Sequence, residues 1–224
     1  MSASEPVIAV IDHGAGNLVS IDQALRTVGA TPRLARHADD LEDADAIVMP
    51  GVGAAGRAMH HLEQADLIDP VLRWIKAGRP YLGICLGLQL LFDCSDEDGA
   101  DTLGVFDGRA VGLVGAPTLP HIGWNQVERR REHPIFDGIA DGANFYFVHS
   151  YAGQPRGGSS EADVLAETSH GLRFVSAIAR GNVVGVQFHP ERSGTTGWRL
   201  LANYVRWAVP TAATAADSRS GKAS

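Results

Sequence analysis

Residues 81–92 read YLGICLGLQLLF, and two patterns meet there. Tyr81 to Ile84 form a short apolar run that suits a strand buried on both faces. Leu86, Leu90, Leu91 and Phe92 carry helical spacing. Cys85 stands at the junction, with Gly83 two residues before it and Gly87 two after. A nucleophile on a sharp strand-to-helix turn needs such neighbours, because a Cβ on either side blocks the turn. A cysteine opening a helix also feels the positive end of the dipole, which favours its thiolate. Taken alone, G-x-C-x-G equally suits a core cysteine between packing glycines.

The alternation extends both ways along the chain. Val7 to Ile11 (VIAVI) is an apolar run followed by the glycine-rich turn Asp12 to Asn17. Leu18, Ile21, Leu25 and Val28 then recur at helical spacing, and Gly29 closes that helix. Ala46 to Met49 (AIVM) is a second buried strand ending in Pro50-Gly51-Val52-Gly53. One helical stretch follows, with Leu67, Val71, Leu72, Trp74 and Ile75 on its apolar side. Alternating strands and helices imply a parallel sheet covered on both faces. The second half is richer in strands: Ala110 to Val114, Gly123 to Glu128, Asn144 to His149 and Val164 to Glu167. Phe174 to Ala179 and Val183 to Phe188 flank the hairpin signal Arg180-Gly181-Asn182. A last helix covers Gly197 to Ala208. The expected fold is α/β: one domain over residues 1–210, a parallel core with an antiparallel extension. Thr211 to Ser224 are small and polar, and are expected to form a disordered tail.

Composition narrows the function classes. The 224 residues suffice for one sizeable core. A net charge of −7 argues against a nucleic-acid partner. The only basic cluster, Arg129 to Arg131, is flanked by Glu128 and Glu132. No apolar run approaches the ~20 residues that span a bilayer. The start, MSASEP, lacks the features of a signal peptide. A cytoplasmic protein without membrane contact is expected. On one shared helix Cys85 and Cys94 would lie ~13 Å apart, too far for a disulfide, so both are expected as free thiols. Nine histidines occur without H-E-x-x-H or paired C-x-x-C, and no metal site is expected. Gly14-Ala15-Gly16 begins like a dinucleotide fingerprint, but Val19 stands where Gly or Ala is needed. His60-His61 reads as part of an exposed helix, Cys94 as structural, and Asp93 to Asp101 as a solvated acidic loop.

Open parallel sheets gather reactive groups at the carboxyl ends of their strands. Asp12 to Asn17, Pro50 to Gly53 and Cys85 all fall at such ends. His189-Pro190-Glu191 follows the apolar run Val183 to Phe188. Residues i and i+2 of an extended chain share a face, and Pro190 biases His189 toward extended geometry. His189 and Glu191 therefore read as a base and its orienter. Acyl transfer also needs backbone N–H donors for the developing oxyanion. The two glycines of Pro50 to Gly53 let the main chain approach, and the N–H of Leu86 is the natural second donor.

These residues resemble the triad glutamine amidotransferases, whose hallmarks are G-x-C-x-G-x-Q and a late H-P-E. Gly83 to Gln89 read GICLGLQ, and residues 189–191 read HPE. Further segments are similar to the family of glutaminase subunits of imidazole glycerol phosphate synthases. They are Asp12 to Leu18, Pro50 to Gly53, His121-Ile122-Gly123-Trp124-Asn125 and Phe145 to Tyr151 (FYFVHSY). The resemblance runs from about Val7 to the last helix. It implies a flavodoxin-like class I glutamine amidotransferase fold and hydrolysis of glutamine to glutamate and ammonia through a cysteinyl thioester, without a cofactor. It implies a heterodimer with a (β/α)8-barrel synthase (cyclase) subunit, which uses the ammonia to form imidazole glycerol phosphate and AICAR in histidine biosynthesis. Ammonia would travel inside the complex, and hydrolysis would stay slow until the partner is loaded.

The roles implied are Cys85, His189 and Glu191 as the triad, and Gly51, Val52, Gly53 and Leu86 as the oxyanion hole. Gln89, His149, Ser150 and Tyr151 would hold glutamine. His121, Trp124, Asn125 and Arg192 are the expected partner contacts. The family usually has Tyr where His13 stands and often Lys where Arg192 stands; Arg192 keeps the charge but changes its geometry. Three alternatives stay open at this level: a glutaminase serving another synthase, a stand-alone cysteine hydrolase, and a non-enzymatic thiol sensor.

Overall fold

Ile8 and Val10 pack to one side of the first strand and Ala9 and Ile11 to the other, and all four are buried. A strand buried on both faces belongs in the middle of a layered α/β structure. The computed structural model describes residues 5–209. In chain order the strands are β1 (Val7–Ile11), β2 (Thr31–Ala35), β3 (Ala46–Met49), β4 (Tyr81–Ile84), β5 (Cys94–Ser95), β6 (Gly108–Gly112), β7 (His121–Arg129), β8 (Ala143–His149), β9 (Tyr151–Pro155), β10 (Val164–His170), β11 (Leu172–Arg180) and β12 (Val183–Val186). The α-helices are α1 (Leu18–Thr27), α2 (Ala55–Gln64), α3 (Ile68–Lys76), α4 (Leu86–Gln89) and α5 (Gly194–Ala208).

The main sheet runs β2-β1-β3-β4-β12-β11-β10-β7-β8. Its first five strands are parallel, and the last four continue it antiparallel. A small sheet, β5-β6-β9, lies beside it. Helices α1 and α5 cover one face through Ile21, Leu25, Leu200, Leu201 and Tyr204. Helices α2 and α3 cover the other through Ala58, Leu62, Val71 and Trp74. Tyr204 is fully buried, and its hydroxyl donates to the Ile47 carbonyl at 2.7 Å, which locks α5 over the parallel strands. Asn17 caps α1 by accepting from the Ser20 N–H at 3.2 Å.

The parallel core and antiparallel extension match the expected α/β class; several details differ. β2 is an additional strand: Thr-Pro-Arg-Leu-Ala is no apolar run, and Pro32 is tolerated because β2 is the sheet edge. The single helix expected after Gly53 is two, broken where Asp66 takes φ +53°. The helix after Cys85 is only Leu86–Gln89, and Cys94 sits in β5, so the shared-helix argument for the cysteines does not apply; both are free. β6 lies two residues earlier than the periodicity suggests, β12 ends at Val186, and α5 starts at Gly194. The expected tail, 211–224, lies outside the described residues. Arg129, Arg130 and Arg131 are engaged by Glu132 and Asp141, by Glu167 and by the Ala179 carbonyl respectively, so they form no free basic face. Among the described residues no helix is long and apolar enough to cross a membrane, and no cluster of His, Cys, Asp or Glu could hold a metal ion.

Candidate active site

The turn at Cys85 is set by backbone contact. A Cβ on Gly83 would lie 2.3 Å from the Gly87 carbonyl oxygen, and one on Gly87 would lie 1.9 Å from that of Met49. Only glycine fits either place. Cys85 itself adopts φ +55°, ψ −105°, a conformation that costs a non-glycine residue about 1–3 kcal/mol. Its N–H donates to the Val186 carbonyl at 2.7 Å, which ties the end of β4 to the end of β12. α4 is a single turn, so no long helix dipole acts on the sulfur, and the Cys85 side chain accepts no capping bond from that turn.

The segment leaving β12 carries the imidazole. Phe188 stacks on Phe145 with ring centroids 4.1 Å apart, and the His189 N–H donates to the Tyr146 carbonyl at 2.8 Å. His189 is extended, but Pro190–Arg192 form a 3-10 turn, so Glu191 reaches the ring by turning back and not along an extended chain. Ser193 holds this turn by donating to the His189 carbonyl at 2.6 Å. His189 Nδ1 and Glu191 Oε1 are 2.8 Å apart, with both side chains 4% exposed. Nε2 is then the nitrogen left for Cys85; it makes no hydrogen bond among the described residues, and the sulfur acts on the ring through its charge. Burial works against a charged ring here. The Cys85 thiolate and then Glu191 outweigh it and raise the His189 pKa to about 10.

Cys85 lies in a crevice of about 160 Å³, with Val52, Gly53, Leu86, Gln89 and residues 148–151 around it. That is well below the roughly 300 Å³ at which pockets for drug-sized ligands begin, so it suits one small metabolite. A larger cavity of about 760 Å³ lies against β6, β9 and β11, but its lining has no cysteine, serine or histidine. Gln89 donates through Nε2 to the Tyr151 carbonyl at 2.7 Å and to Gln187 Oε1 at 3.2 Å. With both N–H groups used, its free group is the acceptor Oε1. His149 is buried with Nδ1 on the Tyr151 carbonyl at 2.9 Å, and burial pushes its pKa down to about 3, so the ring is neutral.

The Pro50–Gly53 loop faces the sulfur from the other side. The Leu86 N–H donates to the Gly51 carbonyl at 3.3 Å. In a trans peptide C=O and N–H point in opposite directions, so the Val52 N–H of the same peptide points away from the crevice. The preceding carbonyl, Pro50, is held by His13 Nε2 at 2.7 Å. Burial lowers the His13 pKa, so the ring is neutral and Nε2 carries the proton.

Two residues at the site have no local signature in the sequence. Glu97 lines the crevice, and burial, then the charge of Asp98, raises its pKa. Asp98 accepts from the Gly56 N–H at 2.7 Å, which ties the acidic loop to the start of α2. The loop is thus anchored at the site, not merely solvated. Gln187, fully buried, donates to the Cys85 sulfur at 3.5 Å. His61, expected to be exposed, is half-buried and bonded to the His13 carbonyl.

The expected partner residues separate. His121 is buried, stacks on His170 with centroids 4.1 Å apart, and meets His149 at 3.1 Å. It faces inward because side chains alternate along β7, and it offers no surface to a partner. Trp124 is 58% exposed and its neighbour on the same face, Ile122, 60%. Asn125 is turned to the Ser169 carbonyl and His121, while Arg192 is exposed and lies over the Tyr146 ring at 4.4 Å.

The glutamine amidotransferase class-I family profile matches residues 9–206. The imidazole glycerol phosphate synthase subunit HisH of Aquifex aeolicus is 46% identical, the match covering 88% of this chain and 95% of that one. HisH of Thermococcus kodakarensis is 48% identical, with 89% and 100% covered. A crystal structure of a glutamine amidotransferase superposes with a TM-score of 0.72 at 20% identity, over 90% of this chain and 98% of that one. The Thermotoga maritima PurLQS structure gives 0.73 at 18%, over 92% and 100%, and this likeness concerns the fold alone. The chain belongs to the glutamine amidotransferase class-I family and, within it, to the group formed by the imidazole glycerol phosphate synthase HisH subunits.

Proposed function

We propose that this chain is the glutaminase subunit of an imidazole glycerol phosphate synthase: it hydrolyses glutamine and passes the ammonia to a synthase subunit in histidine biosynthesis. The observation that carries the chemistry is that the neighbouring strands β4 and β12 lead into Cys85, which lines a crevice sized for one small metabolite, and into the segment that bears the buried His189–Glu191 pair. The raised His189 pKa favours a protonated imidazole at neutral pH. The thiolate attacks the amide carbon of glutamine, and the imidazolium proton passes to the departing nitrogen, which leaves as ammonia. Neutral His189 then takes a proton from water, the hydroxide adds to the thioester, and glutamate leaves as the thiolate and imidazolium are restored. Glu97 and Gln89 Oε1 suit the α-ammonium group of the substrate, being a carboxylate and a free acceptor. The backbone at His149, Ser150 and Tyr151 lines the opposite wall.

The test is ammonia release from glutamine by the purified chain, alone and with the synthase subunit and its ligand. Slow release that accelerates in the complex is expected. Release that is absent in both conditions would reject the reading.

The pH dependence has a definite sign. The folded-state pKa of His189 lies above its ordinary value near 6.5, so its proton stabilises the fold fully below about 6.5. That contribution is lost as pH rises through about 10. The alkaline limb of kcat/KM for glutamine should report the same loss. Glu191→Gln removes one of the groups holding the proton and should move that limb down by roughly one unit or more. An unmoved limb would refute the role given to Glu191.

Ile122, Trp124 and Arg192 form the face that suits the synthase subunit, since an exposed aromatic beside an arginine is typical of binding hot spots. Trp124→Ala should weaken the complex by about tenfold or more, measured by titration calorimetry. Unaltered affinity together with unaltered stimulation would remove this face from the interface.

A further inference from the structure

We infer that Gln187 is a positioning residue for the nucleophile, a donor that holds the Cys85 sulfur as a thiolate turned toward the crevice. The inference rests on Cys85 being the nucleophile. Gln187 directly follows β12, and its backbone N–H still pairs across to the Ser176 carbonyl at 2.9 Å. Its side chain is fully buried, where an amide is costly unless bonded. Nε2 donates to Cys85 Sγ at 3.5 Å, and Oε1 accepts from Gln89 Nε2 at 3.2 Å. Gln89 is itself fixed by the Tyr151 carbonyl at 2.7 Å. Rotating the Gln187 amide by half a turn would set two NH2 groups against each other, so the chain of bonds dictates which end meets the sulfur.

The balance of neighbours gives that donor its effect. The Val148 carbonyl lies 3.9 Å from the sulfur and, as an acceptor, suits the S–H form. The Gln187 N–H suits the thiolate. The remaining charged and titratable groups are His189 with Glu191 behind it, neutral His149 from β8, and Glu97 in the crevice lining. α4 has only one turn to contribute. A hydrogen bond to a charged acceptor is worth about one pH unit of thiolate preference at the lower end of its range.

The experiment is the pH profile of Cys85 alkylation by iodoacetamide in the full chain, on a Cys94→Ser background. Gln187→Met keeps volume and removes the donor. Its profile should shift about one pH unit to the alkaline side, roughly tenfold slower on the rising limb, and converge with the parent on the plateau. A superimposable profile would overturn the inference, as would a slowing equal at every pH, which reports access instead of thiolate preference. Should the Met variant not fold, Gln187→Glu keeps the acceptor for Gln89 and replaces only the donor. Carboxyl and thiol then titrate as a pair, and the profile must still move to higher pH. Failure of the parent reading shows elsewhere, as glutamine hydrolysis that survives Cys85→Ala.

Discussion

Cys85→Ala should abolish glutamine-dependent activity, by about 10⁴-fold or more, and leave the fold intact. Ser193 bonds to the His189 carbonyl, and Cys94 is in β5, in the small sheet beside the main one. Structurally the change is small. Alanine keeps the Cβ and therefore the same strain at φ +55°, and the sulfur gives up one 3.5 Å hydrogen bond from Gln187. A stability loss of about 1 kcal/mol, ordinary for a single substitution, is expected in a thermal melt. The complex formed with this variant should still make product from ammonium chloride, because the synthase reaction does not use the thiol. Ammonia release near the parent rate would reject Cys85 as nucleophile. Loss of both glutamine-driven and ammonium-driven synthesis would point to a broken assembly instead of broken chemistry.

What the sequence makes legible here is what the backbone forces locally. Gly83 and Gly87 stand out because any side chain at either collides with main-chain oxygens. The order of apolar runs is legible too, since a strand buried on both faces has few other readings. Residues recruited by topology are not. Gln187 looks like one polar position within the apolar run Val183 to Phe188 until the β4–β12 pairing brings it against Cys85. Glu97 sits among other acids, and only the tie from Asp98 to Gly56 places its loop at the crevice. His121 reads as part of a surface motif because the motif is contiguous, yet alternation along β7 turns alternate members inward. The break at Asp66 and the edge strand β2 share a cause: tertiary packing overrides a weak local pattern.

Gly51→Ala should cut partner-stimulated turnover by about 10²- to 10³-fold, the usual cost of losing an oxyanion donor. In this structure the Gly51 carbonyl occupies the Leu86 N–H, and the Val52 N–H faces away. With Val52 and Leu86 as the proposed oxyanion donors, neither would serve until the Gly51–Val52 peptide turned over, which would free Leu86 and present Val52. His13 pins the neighbouring Pro50 carbonyl, so rotation is confined to that one peptide. The hinge needs glycine on steric grounds: a Cβ at position 51 would lie 2.7 Å from His13 Nε2 and 3.0 Å from the Leu86 Cβ. Alanine therefore displaces the loop from both neighbours, while Cys85 and His189 stay anchored through their backbone N–H groups to the Val186 and Tyr146 carbonyls. The variant should still be alkylated at Cys85 at close to the parent rate and should bind the synthase subunit normally, yet respond little to its ligand. Stimulated kcat within a few-fold of the parent would show that the loop is not the switch. A purified wild-type chain already turning over at its stimulated rate would show that the peptide needs no partner to rotate.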